Sequence, residues 1–255
     1  MIKQVPNFFT LLNLVFGCLA IVAAMQHGIS IQYNAEGAQY IDLPENLVQA
    51  SLFIGIAAIV DFLDGFVARL FKATSELGKQ LDSLADVVSF GVAPSMILYQ
   101  FLHMGFAKAD NGLETSSLCL VPAFLFAMAA AYRLGRFNLD ASQAYGFKGV
   151  PVPAAGIMVA SLPLIYWHTS NPSVINMLLN VWVIYALIIL LSLLMVSKLP
   201  LLALKFKDKT LKGNMPFIIL AVIAVLGGLF LQWMAVPITF VAYIILSLAF
   251  KKSSP

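Results

Sequence analysis

The chain has 255 residues, of which 61% are hydrophobic and only 11% charged, with a formal net charge of +3. A soluble domain carries about 25% charged residues, and even a large one buries only about three quarters of its surface. The composition therefore excludes a soluble globular protein, makes the bilayer the solvent for most of the chain, and gives no case for a nucleic-acid partner.

In chain order, eight apolar segments reach or approach the roughly 20 residues that a spanning helix needs: 7–26, 47–71, 81–106, 118–138, 153–169, 175–198, 215–232 and 235–251. The runs are long and lack the alternation of a membrane barrel, which predicts helices. The first run follows Lys3 and resembles a signal peptide, and Val15-Phe16-Gly17-Cys18 is faintly like a lipoprotein cleavage box. Phe16 fits that box poorly and the run is long enough to span, so a spanning helix is expected. Cys18 and Cys119 lie in apolar runs without metal-ligand spacing and read as small packing residues. The longest polar stretch, His27 to Glu45, is expected to be a loop. Leu201 to Asn214 mixes Leu and Phe with four lysines; it reads as a segment lying against anionic headgroups or, equally well, as a basic loop. A tight turn near Gln232 to Val236 makes the last two runs a helical hairpin.

With eight crossings, alternate loops share a side. One side then collects every basic residue except Lys108, from Lys3 through Arg69, Lys79, Arg133, Arg136, Lys148 and Lys198 to Lys252. The other side holds Lys108 with Glu36, Asp42, Glu45, Asp110 and Glu114. An odd helix count would scramble this segregation. The positive-inside rule places both termini in the cytoplasm. Trp167 and Trp233 fall at outer helix ends, as interfacial anchors do, and His27, His103 and His168 also lie toward the outer side.

Four acids interrupt two neighbouring helices. Asp61 and Asp64 are three apart and Asp82 and Asp86 four apart, so each pair shares a helix face. A charge at the bilayer centre costs at least about 3 kcal/mol, and like charges in one site repel. Arg69, Lys72 and Lys79 are too few and too near the surface to neutralise them, so bound divalent cations are expected. Carboxylates without His or Cys favour a hard ion, Mg2+ or Mn2+. Gly65 and Ala68 continue the stripe of Asp61 and Asp64, and Gly78 that of Asp82 and Asp86. Glycine in a helix costs about 1 kcal/mol relative to alanine. Such residues serve close helix packing or leave room for something bulky beside the metals. Arg69, at the edge of the stripe, is placed to grip a phosphate.

The run Asp61-Phe-Leu-Asp64-Gly65-Phe-Val-Ala68-Arg69, followed after eight residues by Gly78, then Asp82 and Asp86, resembles the signature of the CDP-alcohol phosphotransferase family at every defining position. The resemblance extends from Pro6 to about Pro200. It implies that Asp61, Asp64 and Asp82 bind metal, as two Mg2+ or Mn2+ ions, and that Asp86 completes the metal site or acts as general base. It implies that Gly65, Ala68, Arg69 and Gly78 line the CDP pocket. Pro6-Asn7-Phe-Phe-Thr10 resembles the family's opening segment, which adds Asn7 and Thr10 to the nucleotide site; read alone, either residue is equally a helix cap.

The signature fixes the donor type and not the acceptor. Arg133 and Arg136, three apart at the end of the fourth helix, can converge on one anion, with Asn138 beside them; two basic residues obeying the positive-inside rule is the plainer reading. Phe147-Lys148-Gly149-Val150-Pro151-Val152-Pro153 is a stiff turn, and Met195-Val-Ser-Lys-Leu-Pro200 ends the sixth helix. These three segments resemble the branch of the family that uses serine, although Val152 stands where relatives often have a small hydroxyl residue. The resemblance implies an enzyme that transfers the phosphatidyl group of CDP-diacylglycerol to L-serine, as a homodimer among membrane lipids. The same donor with glycerol 3-phosphate, an inositol compound or an amino-alcohol is the second reading, and a cation transporter the third. The expected architecture is an all-α integral membrane protein of the cell inner (plasma) membrane with its active site facing the cytoplasm. It comprises a six-helix core over 1–200, a basic segment 201–214 and a C-terminal helix pair in 215–255.

Overall fold

Inside a bilayer the backbone must satisfy its own hydrogen bonds, so apolar runs become helices. A computed structural model describes residues 5–26, 30–33, 39–42, 44–71, 75–108, 115–139, 147–201 and 215–250. Its helices are α1 (Val5–Met25), α2 (Glu45–Leu70), α3 (Glu76–Asp86), α4 (Ala93–Ala107), α5 (Leu125–Leu139), α6 (Val152–His168), α7 (Pro172–Leu178), α8 (Val181–Val196), α9 (Met215–Leu231) and α10 (Ala235–Ala249). Two short antiparallel ladders complete it. β1 (Ser30–Tyr33) pairs with β2 (Gln39–Asp42), and β3 (Phe147–Lys148) with β4 (Pro200–Leu201).

Five helical stretches are long and apolar enough to cross a bilayer: Pro6–Met25, Glu45–Leu70, Glu76–Ala107, Ser117–Leu139 and Met215–Ala249. The bent pair α7–α8 adds a sixth if it counts as one span, and α6 is apolar but shorter. The chain is thus an all-α, multi-pass membrane protein, with five or six spans by this measure where the sequence suggests eight. The stretch Met215–Ala249 contains a reversal at Gln232–Met234, where Gln232 takes φ 50°. A Cβ on Gly227 would lie 3.1 Å from the Ala235 Cβ, so α9 and α10 lie against each other.

Three local expectations change. The segment expected as a loop carries the β1–β2 ladder. The single helix expected over 175–198 is broken into α7 and α8, bent by 61°. Asn180 caps α8, accepting from the N–H groups of Trp182 and Val183, an arrangement that ends one helix and starts another. The third helix begins earlier than 81, at Glu76, and passes through a π-helical turn, Val87–Val92, before α4. Beyond Leu201, the basic segment lies outside the described residues, as do Lys3, His27, Glu36, Lys72, Asp110, Glu114 and Lys252.

The stripe that packs α1 onto the bundle is Pro6, Thr10, Asn13, Gly17, Ala20 and Ala24, all buried. Its alternating spacing of three and four is the seam of a close helix pair, and its last three members, Gly17, Ala20 and Ala24, are small. On α2 the buried set runs Leu47, Ala50, Ile54, Ala57 and Asp64, with Asp61 in the same register. Gly17 sits where a Cβ would come within 2.8 Å of the Ser89 Cα, and Gly156 of α6 where one would come within 2.9 Å of the Phe90 carbonyl. The π-helical turn after Asp86 is therefore gripped by α1 and α6 at backbone distance. At the opposite end of the bundle, the His168 and Trp233 rings are 6.1 Å apart, which brings the end of α6 beside the α9–α10 turn.

Candidate active site

The acids sit at the same end of two packed elements, the close of α2 and the run from α3 into the π-helical turn. Oxygens of Asp61, Asp64 and Asp82 lie within 4.8 Å of one another. Asp86 joins them, its carboxyl group in contact with that of Asp61. Asp64 and Asp86 are buried and the other two are half-buried. From α1, Thr10 Oγ1 donates to Asp64 Oδ2 at 2.7 Å and Asn13 Nδ2 to Asp86 Oδ1 at 3.4 Å. Both partners are neutral, so they orient the carboxylates without offsetting their charge. An all-oxygen donor set converging this closely fits a hard divalent cation.

Beside the carboxylates opens a cavity of about 490 Å³. Asn7, Thr10, Gly65, Ala68 and Gly78, all named from the sequence, line it together with Asp64 and Asp82. Gly78 leaves the room that its residue type suggested: a Cβ there would lie 3.0 Å from Asn7 Oδ1 and 3.1 Å from Ser75 Oγ. Arg69 folds back over Gly65, its Nη1 being 3.7 Å from the place of a Cβ on that glycine. Asn7 and Thr10 are not helix caps; both lie inside α1. The cap at this site is Ser75, which accepts from the Gly78 N–H at 3.0 Å and also lines the cavity, as do Glu76 and Lys79.

The three segments singled out after α4 meet in space. Arg136 donates from Nη1 to the Val196 carbonyl at 2.8 Å and from Nη2 to the Ser197 carbonyl at 3.1 Å. The Gly149 and Val150 N–H groups donate to the carbonyls of Leu199 and Leu194. Gly149 adopts φ 81°, and a Cβ there would meet the Ser197 carbonyl at 2.8 Å; only glycine fits. Val152, the departure noted above, is fully buried. Asn138 Nδ2 donates to Ser83 Oγ at 2.8 Å, and its carbonyl accepts from Lys79 Nζ at 3.4 Å.

Arg133 differs from these neighbours. It is 5% exposed, and its Nε has no hydrogen-bond partner among the described residues. It stacks 5.9 Å from the Phe137 ring centroid and lies within electrostatic reach of Asp86. Arg136 and Asn138 thus tie the framework together, while Arg133 interacts electrostatically with Asp86. Asn13 was not singled out from the sequence; its signal is a polar residue in an apolar run, three beyond Thr10 and four before Gly17 on one helix face.

Residues 3–193 match the CDP-alcohol phosphatidyltransferase family. Among similar proteins is the CDP-diacylglycerol–serine O-phosphatidyltransferase of Helicobacter pylori, 32% identical over 223 residues, which cover 86% of this chain and 78% of that protein. Proteins of the same description from Methanocaldococcus jannaschii and Bacillus subtilis are each 32% identical. The first match covers 77% of this chain and 72% of the relative, the second 64% and 77%.

Proposed function

Because the chain belongs to the CDP-alcohol phosphatidyltransferase family, we propose that it transfers the phosphatidyl group of CDP-diacylglycerol to the hydroxyl of L-serine, giving phosphatidylserine and CMP. The observation that carries the acceptor is Arg133, a buried guanidinium with an unpartnered Nε beside Asp86. A buried cation in that state calls for an anion, and a serine carboxylate held there brings the serine hydroxyl toward Asp86. The names of the relatives support the same acceptor.

Asp61, Asp64 and Asp82, completed by Asp86, hold divalent metal, Mg2+ or Mn2+, as two ions. When bound, it neutralises charge on the pyrophosphate and on departing CMP. Asn7, Thr10, Gly65, Ala68 and Gly78 wall the nucleotide, and Arg69 offers its fork of donors to phosphate. Arg133 takes the serine carboxylate, with Arg136 and Asn138 fixing the segments around it. The serine oxygen bonds to the phosphorus that carries diacylglycerol, and the bond from that phosphorus to the CMP oxygen breaks. Asp86 receives the hydroxyl proton.

In the bilayer we place eight crossings: six in a core over 1–200, then the basic segment 201–214 and the α9–α10 pair within 215–255. Both termini and the carboxylate site face the cytoplasm of the inner (plasma) membrane, and the enzyme works as a homodimer. The split of basic and acidic residues between loops supports this orientation. The donor and acceptor are tested with purified, lipid-reconstituted enzyme, CDP-diacylglycerol and a panel of serine, glycerol 3-phosphate, inositol and amino-alcohols. CMP release is expected with serine alone; release with another acceptor and not serine rejects the reading.

A further inference from the structure

Asn13 reaches Asp86 by a single hydrogen bond. Its Nδ2 lies 3.4 Å from Asp86 Oδ1, and its own Oδ1 has no partner among the described residues. Asn13 is fully buried, and a buried side chain with one partner is aimed chiefly by where its backbone stands. That backbone is tied from the other side. Ser89, fully buried in the π-helical turn, donates from Oγ to the Asn13 carbonyl at 3.0 Å. Gly17 lies four residues on, one helical turn along α1 from that carbonyl. A Cβ on Gly17 would collide with Ser89 Oγ and lie 2.8 Å from the Ser89 Cα, so the missing side chain is what admits the hydroxyl. Asp86, Asn13 and Ser89 thus close a ring. It runs from the carboxylate to the amide, from the Asn13 carbonyl to Ser89, and back along the chain to Asp86.

The π-helical turn begins at Val87, directly after Asp86. Such turns depart from α-helical register and are frequent at functional sites, so regular helix geometry alone does not set how Asp86 stands against α1. The seam of α1 does not set it either. Beyond Asn13 its members are Gly17, Ala20 and Ala24, which bring backbones close but offer no side chain to lock the axial position. The directional bond from Ser89 supplies that lock. Ser95 makes the contrast: its buried Oγ donates to the Gly91 carbonyl at 2.9 Å, along its own helix and not to α1. We infer that Ser89 is a positioning residue, which by holding the Asn13 carbonyl sets the reach of Asn13 to Asp86, and so the direction in which Asp86 meets metal and the acceptor hydroxyl. This rests on the role of Asp86 given above.

The test uses the full-length purified enzyme, with Mn2+ alone as the probe, its free form counted by electron paramagnetic resonance, and then CMP release after reconstitution. Ser89→Ala deletes the hydroxyl. The Kd for Mn2+ is expected to rise about fivefold, the worth of one hydrogen bond, and kcat to fall by a similar factor, with KM for CDP-diacylglycerol unchanged. Asn13→Ala gives at least the same loss. The double variant is no worse than Asn13→Ala alone, because Ser89 acts through that residue. Ser95→Ala is the matched control: it lowers the melting temperature to a similar degree and leaves Mn2+ affinity and kcat at the wild-type level. Wild-type Mn2+ affinity in Ser89→Ala overturns the inference. So do losses in Ser89→Ala and Asn13→Ala that simply add, or losses in Ser95→Ala that match those of Ser89→Ala. Asp86→Asn separates the two levels. Impaired binding and turnover there, beside wild-type behaviour in Ser89→Ala, reject the role of Ser89 alone. Wild-type binding and turnover in Asp86→Asn reject the role of Asp86 itself.

Discussion

Two of the four carboxylates are held by α1, a helix that contributes no acid. Thr10→Val keeps the volume and deletes the donor to Asp64. A hydrogen bond to a charged group contributes about 1.5–3 kcal/mol to stability, so the melting temperature should fall, kcat/KM should fall at least about tenfold as Asp64 loses its orientation, and Thr10→Ser should retain activity. Steady-state CMP release on the three proteins checks this. Asp86→Asn keeps an acceptor for Asn13 and loses the proton acceptor; turnover should vanish while the protein remains folded, and residual wild-type turnover would remove Asp86 from the chemistry. The acids and glycines were legible in the sequence because a charge or a glycine in a membrane helix needs a reason. Asn13 was not, because one neutral polar residue in an apolar run has many innocent readings. The pair Arg133 and Arg136 was half legible. Their spacing predicts one face, but the open carbonyls at the end of α8 draw Arg136 away from its neighbour.

At the level of elements, apolar runs predicted most helices to within a few residues, because length against bilayer thickness is a strong constraint. The break before α8 escaped, since Asn176 and Asn180 are isolated polar residues in the otherwise apolar stretch 175–184. The π-helical turn escaped too, because one extra residue per turn leaves no periodicity to see. These features respond differently to mutation. Asn180→Ala removes a helix cap and should cost about 1 kcal/mol. Gly149→Ala combines a left-handed backbone with a Cβ placed 2.8 Å from the Ser197 carbonyl. It should cost more, because the β3–β4 ladder and the carbonyls that accept from Arg136 must shift together. Thermal unfolding in one detergent should therefore rank Gly149→Ala below Asn180→Ala, and only the glycine variant should also lose turnover. The reverse order would mean that the turn before α6 is looser than its contacts suggest.

For the whole molecule, the site and the stability of the bundle are one problem. Three carboxylates within 4.8 Å repel by about 3 kcal/mol per pair when all are ionised, at an effective dielectric near 20. The two elements that carry them, α2 and α3, are joined through residues 71–75 and packed against the same face of α1. Metal-free protein therefore holds its helices together against this repulsion, and metal that binds only the folded state adds stability by mass action, about 2.7 kcal/mol at a hundred times its Kd. Chelation should lower the melting temperature as well as abolish CMP release, and adding Mg2+ or Mn2+ should restore both. Asp82→Asn separates repulsion from ligation. With one charge fewer, it should melt higher than wild type in chelator yet gain less when metal is returned. A variant that melts lower than wild type in chelator would show that Asp82 contributes more through packing than it costs through charge, and would shift the origin of the metal response to Asp61 and Asp64 of α2.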